Sequence, residues 1–272
     1  LLASAAEAGD RPFVETSIAR LFASRLSLTH MERGISVISG PWGIGKTTAL
    51  DAFVAAQEFQ AVVVKVDPGS SKRGATPIAV MQLVIEAMHE MTERRNVRGT
   101  LSNAYWSLRK MIFDEFVDVI GTDQMEWEHH RFTIIFDEAQ YLSRDAIEML
   151  RFWNDGDRTT TPIPIGLVFV GNNEFALQED NSGQSVLSGA VRSRALFIDC
   201  LEYADISDSD LILFLQSRGI DDAAAIAATV TYFSQPRVRR DFRQVERFVG
   251  IFKRKAGDGA VTAKIVRDVL SP

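Results

Sequence analysis

Gly40-Pro41-Trp42-Gly43-Ile44-Gly45-Lys46-Thr47 decides the fold of this chain. The stretch satisfies every fixed position of the G-x-x-x-x-G-K-[ST] pattern. Ile35-Ser36-Val37-Ile38-Ser39 before it reads as a buried strand, and Thr48-Ala49-Leu50-Asp51-Ala52-Phe53-Val54-Ala55-Ala56 after it reads as a helix. That strand–loop–helix context is what the pattern needs. Its glycines let the backbone curl so that successive N–H groups face an anion, and the helix N-terminus adds partial positive charge. Lys46 is placed to reach the β- and γ-phosphates of a nucleotide, and the Thr47 hydroxyl to hold Mg²⁺. Gly40 to Thr47, with Thr48 behind them, are therefore expected to bind a nucleoside triphosphate.

Further along, the apolar run Arg131-Phe132-Thr133-Ile134-Ile135-Phe136 ends in Asp137-Glu138. A strand that delivers two carboxylates forms the second half of a nucleotide-hydrolysis site. Asp137 would orient the Mg²⁺ shell and Glu138 would polarise the attacking water. In sequence, a second strand (Ala61 to Val66) intervenes between the loop strand and this one, the order of the additional-strand, catalytic-Glu class of phosphate-loop proteins. The next strand, Ile165 to Val170, ends in Gly171-Asn172-Asn173. An amide at that tip can hydrogen-bond both a γ-phosphate and the lytic water; Asn172 is the first choice and Asn173 the alternate, although an Asn after Gly also simply turns well. Arg192-Ser193-Arg194 precedes a short strand, Ala195 to Ile198. Arg194, or Arg192 with it, is placed to reach a neighbouring subunit's γ-phosphate and stabilise transition-state charge. Arg243, at a helix start, is placed to fold back onto bound phosphates.

Composition sets outer limits. The 272 residues suit one large domain or a core with a small appendage. One cysteine excludes an intramolecular disulfide framework and a cysteine-based zinc cluster. The first ten residues lack a basic n-region, and no apolar run reaches about 18 residues, so a cytoplasmic chain without a membrane span is expected. The net charge of −6 argues against a uniformly basic nucleic-acid binder. Charge is uneven, however: Arg237 to Lys255 holds eight basic residues against Asp241 and Glu246, leaving that segment at +6 and the remainder at −12. Such an element suits a phosphate backbone and suits a solvated helix face equally well. His129-His130 has no metal-ligand partner at useful spacing, and Trp106 and Trp153 read as helix-packing residues. Trp42 reads as packing on the C-terminal helices or on the first helix.

Elsewhere, helices are expected from about Val14 to Leu28, after Thr76-Pro77, from Leu101 to Ile120 and from Asp145 to Asn154. Nearly continuous apolar strands alternating with helices indicate a parallel sheet covered on both faces. Beyond Tyr203 the pattern is helical to the end. The expected organisation is a three-layer α/β core over residues 1–203, with about five parallel strands, and a small all-helical lid over 204–272.

These features together resemble an AAA+ ATPase, a P-loop NTPase. Phe136-Asp137-Glu138-Ala139-Gln140-Tyr141-Leu142 looks like the DEAQ form, and with Glu148-Met149-Leu150-Arg151 and the Val170-Gly171-Asn172 turn it is similar to the MuB, TnsC and TniB group of DNA transposition ATPases. The resemblance runs from about Val14 to Leu270. It implies ATP and Mg²⁺ as cofactors, ATP rather than GTP because no N-K-x-D motif stands where a GTPase carries it, and a homo-oligomeric ring or helical filament on duplex DNA. It also implies a transposase partner that triggers hydrolysis. DNA would be held through its phosphates without sequence preference. By position, Lys72 and Arg73 are the first candidates for that contact, and Arg94, Arg95 and Arg98 the second. Two departures stand against it: no clear N-terminal helix-turn-helix module, and an acidic overall balance. The alternative is an ATPase switch of the same branch acting on protein partners, with the +6 segment as a docking face. A nucleotide kinase is disfavoured by Arg194, by the helical lid and by the lack of an acceptor-binding lid loop.

Overall fold

A computed structural model of the chain describes residues 12–56, 61–68, 74–91, 131–155, 165–177 and 185–271. Its strands are β1 (Ile35–Ser39), β2 (Ala61–Lys65), β3 (Thr133–Asp137), β4 (Gly166–Gly171) and β5 (Ala195–Cys200). They form one parallel sheet in the order β2-β3-β4-β1-β5. The strand lying between β1 and β3 is thus β4, while β2, which intervenes in sequence, takes the outer edge. Position in the sheet sets the side-chain pattern: β1, β3 and β4 are buried at every residue, whereas β2 and β5 alternate. Central strands covered on both faces read as nearly continuous apolar runs, and edge strands do not.

Register brings the strand ends together. Ser39 pairs with Gly171 and Phe136 with Phe169, so Ser39, Asp137 and Gly171 finish at the same carboxyl end of the sheet, where open α/β sheets bind ligands.

The helices are α1 (Ser17–Glu32), α2 (Lys46–Ala55), α3 (Pro77–Met91), α4 (Arg144–Asp155), α5 (Asn173–Leu177), α6 (Gly189–Arg194), α7 (Asp208–Ser217), α8 (Ala223–Phe233), α9 (Phe242–Ala256) and α10 (Ala263–Leu270). The described residues divide into two compact units. The described residues within 25–39 and 58–200 form the sheet unit, and those within 1–24, 40–57 and 201–272 the helical unit.

In the sheet unit, α3 buries Val80, Met81, Val84, Ile85 and Met88, and α4 buries Ile147, Leu150 and Trp153 within one apolar core. Phe136 stacks on Phe169 at 5.6 Å between ring centroids. Asn154 donates to the Arg33 and Ile165 carbonyls at 2.7 and 2.6 Å, tying together the entrances of β1 and β4.

In the helical unit, Asp222 and Asp241 accept the first-turn N–H groups of Ala225 and Gln244 and so start α8 and α9. Ser207 and Asp210 form a capping box on α7. α9 buries Phe242, Val245, Val249 and Phe252, one stripe at helical spacing, and turns its charged residues outward. Among the described residues no helix is long and apolar enough to cross a membrane. The helix expected over Leu101 to Ile120 and the pair His129-His130 lie outside the described residues.

Candidate functional site

In the helical unit the loop takes the shape its glycines permit. Gly43 and Gly45 have φ of +83° and +94°, the left-handed region in which side chains are strained. α2 starts at Lys46 with Gly45 as its cap and no side-chain cap hydrogen bond. Its first-turn N–H groups have no intrahelical partner, which is the arrangement that receives a phosphate. Lys46 Nζ donates to the Gly40 and Pro41 carbonyls at 2.6 and 2.9 Å, so its ammonium is held over the loop. Thr47 and Thr48 are exposed at the helix start.

The start of α9 is seated on the same loop. Phe242 N–H donates to the Gly43 carbonyl at 2.9 Å. A Cβ at Gly43 would come within 2.9 Å of Asp241 Oδ1, so the close approach requires glycine there as much as φ does. Arg243 follows, exposed, and shares a cavity wall with Trp42. Trp42 itself is 59% exposed instead of packed away, and its carbonyl accepts the Tyr203 hydroxyl at 3.3 Å.

Sequence reasoning missed an apolar cavity of about 410 Å³ in this unit, walled by Phe13, Val14, Thr48, Ala52, Phe214 and Phe242 and reaching Gly45. Phe214 and Phe242 lie 5.0 Å apart between ring centroids. The Arg218 guanidinium covers Phe214 at 4.4 Å while its Nε pairs with Glu246 at 2.7 Å. An apolar cavity with two aromatic walls beside the N-terminus of α2 suits a nucleobase.

In the sheet unit, Asp137 ends β3 with 4% exposure and accepts Glu138 N–H at 3.0 Å through Oδ1. Glu138 then adopts φ +59°, a left-handed turn that a β-strand end followed by a tight helical turn imposes and that non-glycine residues take rarely. Gln140, 91% buried at 9% exposure, uses both ends of its amide. Its Nε2 donates to Glu138 Oε2, and its Oε1 accepts Asn172 N–H at 3.1 Å. Asn172 Oδ1 in turn accepts Phe175 N–H at 3.2 Å and starts α5. Glu138, Gln140 and Asn172 are thus one connected group, with Gln140 the link between the other two. Nothing in the spacing Glu138-Ala139-Gln140 says that the amide links the ends of β3 and β4.

Arg192 and Arg194 differ in what holds them. Arg192 donates to the carbonyls of Ala176 (2.6 Å) and Leu187 (3.2 Å) and to the Ser185 hydroxyl (3.2 Å). Arg194 makes an exposed ion pair with Asp155 at 2.6 Å, its side chain 43% accessible. Its other contact is with the Ala190 carbonyl at 3.3 Å. An exposed pair of this kind is worth about 0–1 kcal/mol, so Arg194 is the arginine that can leave its place. Lys72, Arg73, Arg94, Arg95 and Arg98 lie outside the described residues.

A model of the AAA domain family matches residues 29–178, more than half of the chain. The chain belongs to the AAA domain family. It is an ATPase, as the family model and the phosphate loop together require. The fold of this AAA chain is shared by solved structures of low identity. The RuvB Holliday junction branch migration motor of Thermotoga maritima is 14% identical over 95% of this chain and 69% of that one, with a TM-score of 0.51. Cdc6p from Pyrobaculum aerophilum is 14% identical over 97% and 69%, with a TM-score of 0.59. A chain from Drosophila ORC bound to DNA is 14% identical over 99% and 64%, with a TM-score of 0.56. At such identity these likenesses speak for the fold. No curated protein matches the chain in sequence.

Proposed function

We propose that this AAA ATPase binds ATP with Mg²⁺ in the cytoplasm, assembles as a homo-oligomer on duplex DNA without sequence preference, and regulates transposition by presenting that DNA to a transposase. The observation that carries the nucleotide half is the loop itself. Two left-handed glycines and a helix start without a side-chain cap, with the Lys46 ammonium held over the loop, support a phosphate site there, and the apolar slot in the same unit supports a base. The DNA half is supported by the DEAQ-type strand end and by structural neighbours whose own names are a Holliday junction motor and a DNA-bound ORC. The proposed division into a core over 1–203 and a lid over 204–272 belongs to the same reading.

In this reading the backbone of Gly40, Pro41, Trp42, Gly43, Ile44 and Gly45, with Lys46, Thr47 and Thr48, binds the triphosphate. The base enters the Phe13–Phe214–Phe242 slot. Thr47 and Asp137 offer only oxygen donors, and Asp137 is buried and oriented by Glu138 N–H, a donor set that fits a hard divalent cation. Thr47 and Asp137 would hold Mg²⁺, which would supply charge neutralisation at the phosphate oxygens. Glu138 accepts the proton of the attacking water, held in direction by Gln140. Asn172 orients that water and the γ-phosphate. Arg243 reports the phosphates to α9, and Arg194 crosses to the neighbouring subunit. Phosphoryl transfer needs little more than such positioning and charge stabilisation.

Light scattering of the Glu138→Gln protein, which retains ATP without turning it over, tests the assembly. With ATP and a random-sequence duplex it is expected to run as a multi-subunit complex, and with ADP as free protein. A free protein in both cases overturns the assembly half and leaves the protein-partner alternative.

A further inference from the structure

A second cavity of about 590 Å³ opens in the helical unit, walled by Trp42, Tyr232, Arg237, Arg239, Arg243 and Arg247, with Tyr203, Asp241 and Gln244 completing it. It shares no lining residue with the apolar slot. The first turn of α9 separates them: Phe242 faces the slot, and Arg243 and Gln244 face this cavity.

Its chemistry is unbalanced in one direction. Arg25, Arg151, Arg194, Arg218 and Arg240 are each ion-paired. Arg237, Arg239, Arg243 and Arg247 are exposed, and among the described residues none of their side chains has a hydrogen bond or ion pair. The single acid on the wall, Asp241, accepts the Gln244 N–H at 2.6 Å as the cap of α9. Gln244 Oε1 is buried without a partner. Beside these cations the Trp42 indole is 59% exposed, and Tyr232 is held edge-on by Phe233 and Phe248 at 5.3 and 5.8 Å.

Unpaired guanidinium groups around a concavity call for phosphate or carboxylate. An exposed indole and a fixed tyrosine call for a planar π-face. One ligand unit carries both. We infer that this cavity seats an unpaired nucleotide, its base against Trp42 and Tyr232 and its phosphate on Arg237, Arg239 and Arg247. Arg243 is left out of the set because the nucleotide-hydrolysis reading already uses it. A duplex buries its base faces by stacking, so the ligand is a nucleotide with a free face, either a free mononucleotide or one residue of a single strand. Aromatic platforms flanked by cations are how single strands are held without sequence preference. The site is independent of duplex binding.

Trp42 fluorescence tests it, taken as the difference between wild type and Trp42→Phe, with the phosphate loop saturated by ADP. Three probes are titrated: an oligo-dT strand, thymidine monophosphate, and poly-glutamate of the strand's length. Quenching by the strand but not by the monophosphate assigns the site to single strands. Quenching by both assigns it to free nucleotides. In either case Arg237→Ala with Arg247→Ala is expected to weaken binding, and Trp42→Ala, read by equilibrium dialysis of the same probe because the reporter is removed, to weaken it about five- to a hundredfold, the worth of one base stack. A matching thermal midpoint for these exposed-residue variants shows that they fold, and the single Arg247→Gln variant repeats the test with less perturbation. No quenching by either nucleotide probe, or equal quenching by poly-glutamate, overturns the proposal. Lys46→Ala, which removes binding at the phosphate loop and is therefore titrated without ADP, is expected to bind the strand as wild type does, so the two sites fail separately.

Discussion

Gln140 is clasped to Glu138: the amide Nε2 donates to the Glu138 carboxylate while its Oε1 accepts Asn172 N–H at 3.1 Å. The carboxylate proposed to polarise water is therefore aimed by a buried amide that is itself anchored on the neighbouring strand.

Gln140→Ala removes that aim without touching the phosphate loop. A hydrogen bond to a charged group is worth about 1.5–3 kcal/mol, so kcat is expected to fall by about ten- to a hundredfold with the ATP dissociation constant unchanged. Steady-state hydrolysis beside equilibrium nucleotide titration checks this. An equal loss in both quantities would make Gln140 a fold residue only.

Gly43→Ala tests the seating of α9 on the loop. Alanine at φ +83° costs about 1–2 kcal/mol, and its Cβ would also press on Asp241, within 2.9 Å. A lower thermal midpoint and weaker nucleotide binding are expected together. Gly189→Ala, where nothing lies within 4 Å of the added carbon, is the control and is expected to change neither.

Arg194→Ala is expected to leave folding and nucleotide affinity intact and to abolish hydrolysis in the assembly. Arg192→Ala is expected to lower the thermal midpoint, because three acceptors lose their donor. Mixing Arg194→Ala with Glu138→Gln subunits should restore part of the activity, since each supplies what the other lacks. Wild-type hydrolysis by Arg194→Ala alone would remove the interface role.

Asp210 gives a pH signature. Burial by itself would raise its pKa, but hydrogen bonds from Ser17 and Ser207 outweigh that and hold the carboxyl below its ordinary value of 3.8. A depressed folded value means that this stabilisation is complete above the unfolded pKa and is lost as pH falls through the folded one. Asp210→Asn is expected to lose about 1–3 kcal/mol near neutrality. The gap to wild type should start to close only below about pH 3.8, as read by urea unfolding across acid pH. A gap independent of pH throughout the acid range would show that charge plays no part.

How much of this the sequence carries depends on distance along the chain. The phosphate loop and β1, β3 and β4 are local patterns: two glycines, one lysine and nearly continuous apolar runs. β5 differs, since apolar Leu196 and Ile198 are 43% and 37% exposed on an edge strand, and an apolar run does not say whether a strand has one neighbour or two. α5 escaped notice because its five residues are too short for periodicity and its start is fixed by the Asn172 side chain. The clasp by Gln140 and the Phe13–Phe214–Phe242 slot join residues far apart in sequence. Likewise, Arg192 and Arg194 are alike in the sequence; only the carbonyls around Arg192 separate them.

The most direct test of the account is fluorescence anisotropy of a labelled random-sequence duplex titrated with the Glu138→Gln protein. Nucleotide state (ATP, ADP, none) and salt (low, physiological) are both varied. The account predicts binding with ATP alone, weakened steeply by salt as phosphate contacts release counterions. Absence of binding in every state, from protein that still binds ATP, would contradict it and place the ATPase among switches that act on protein partners.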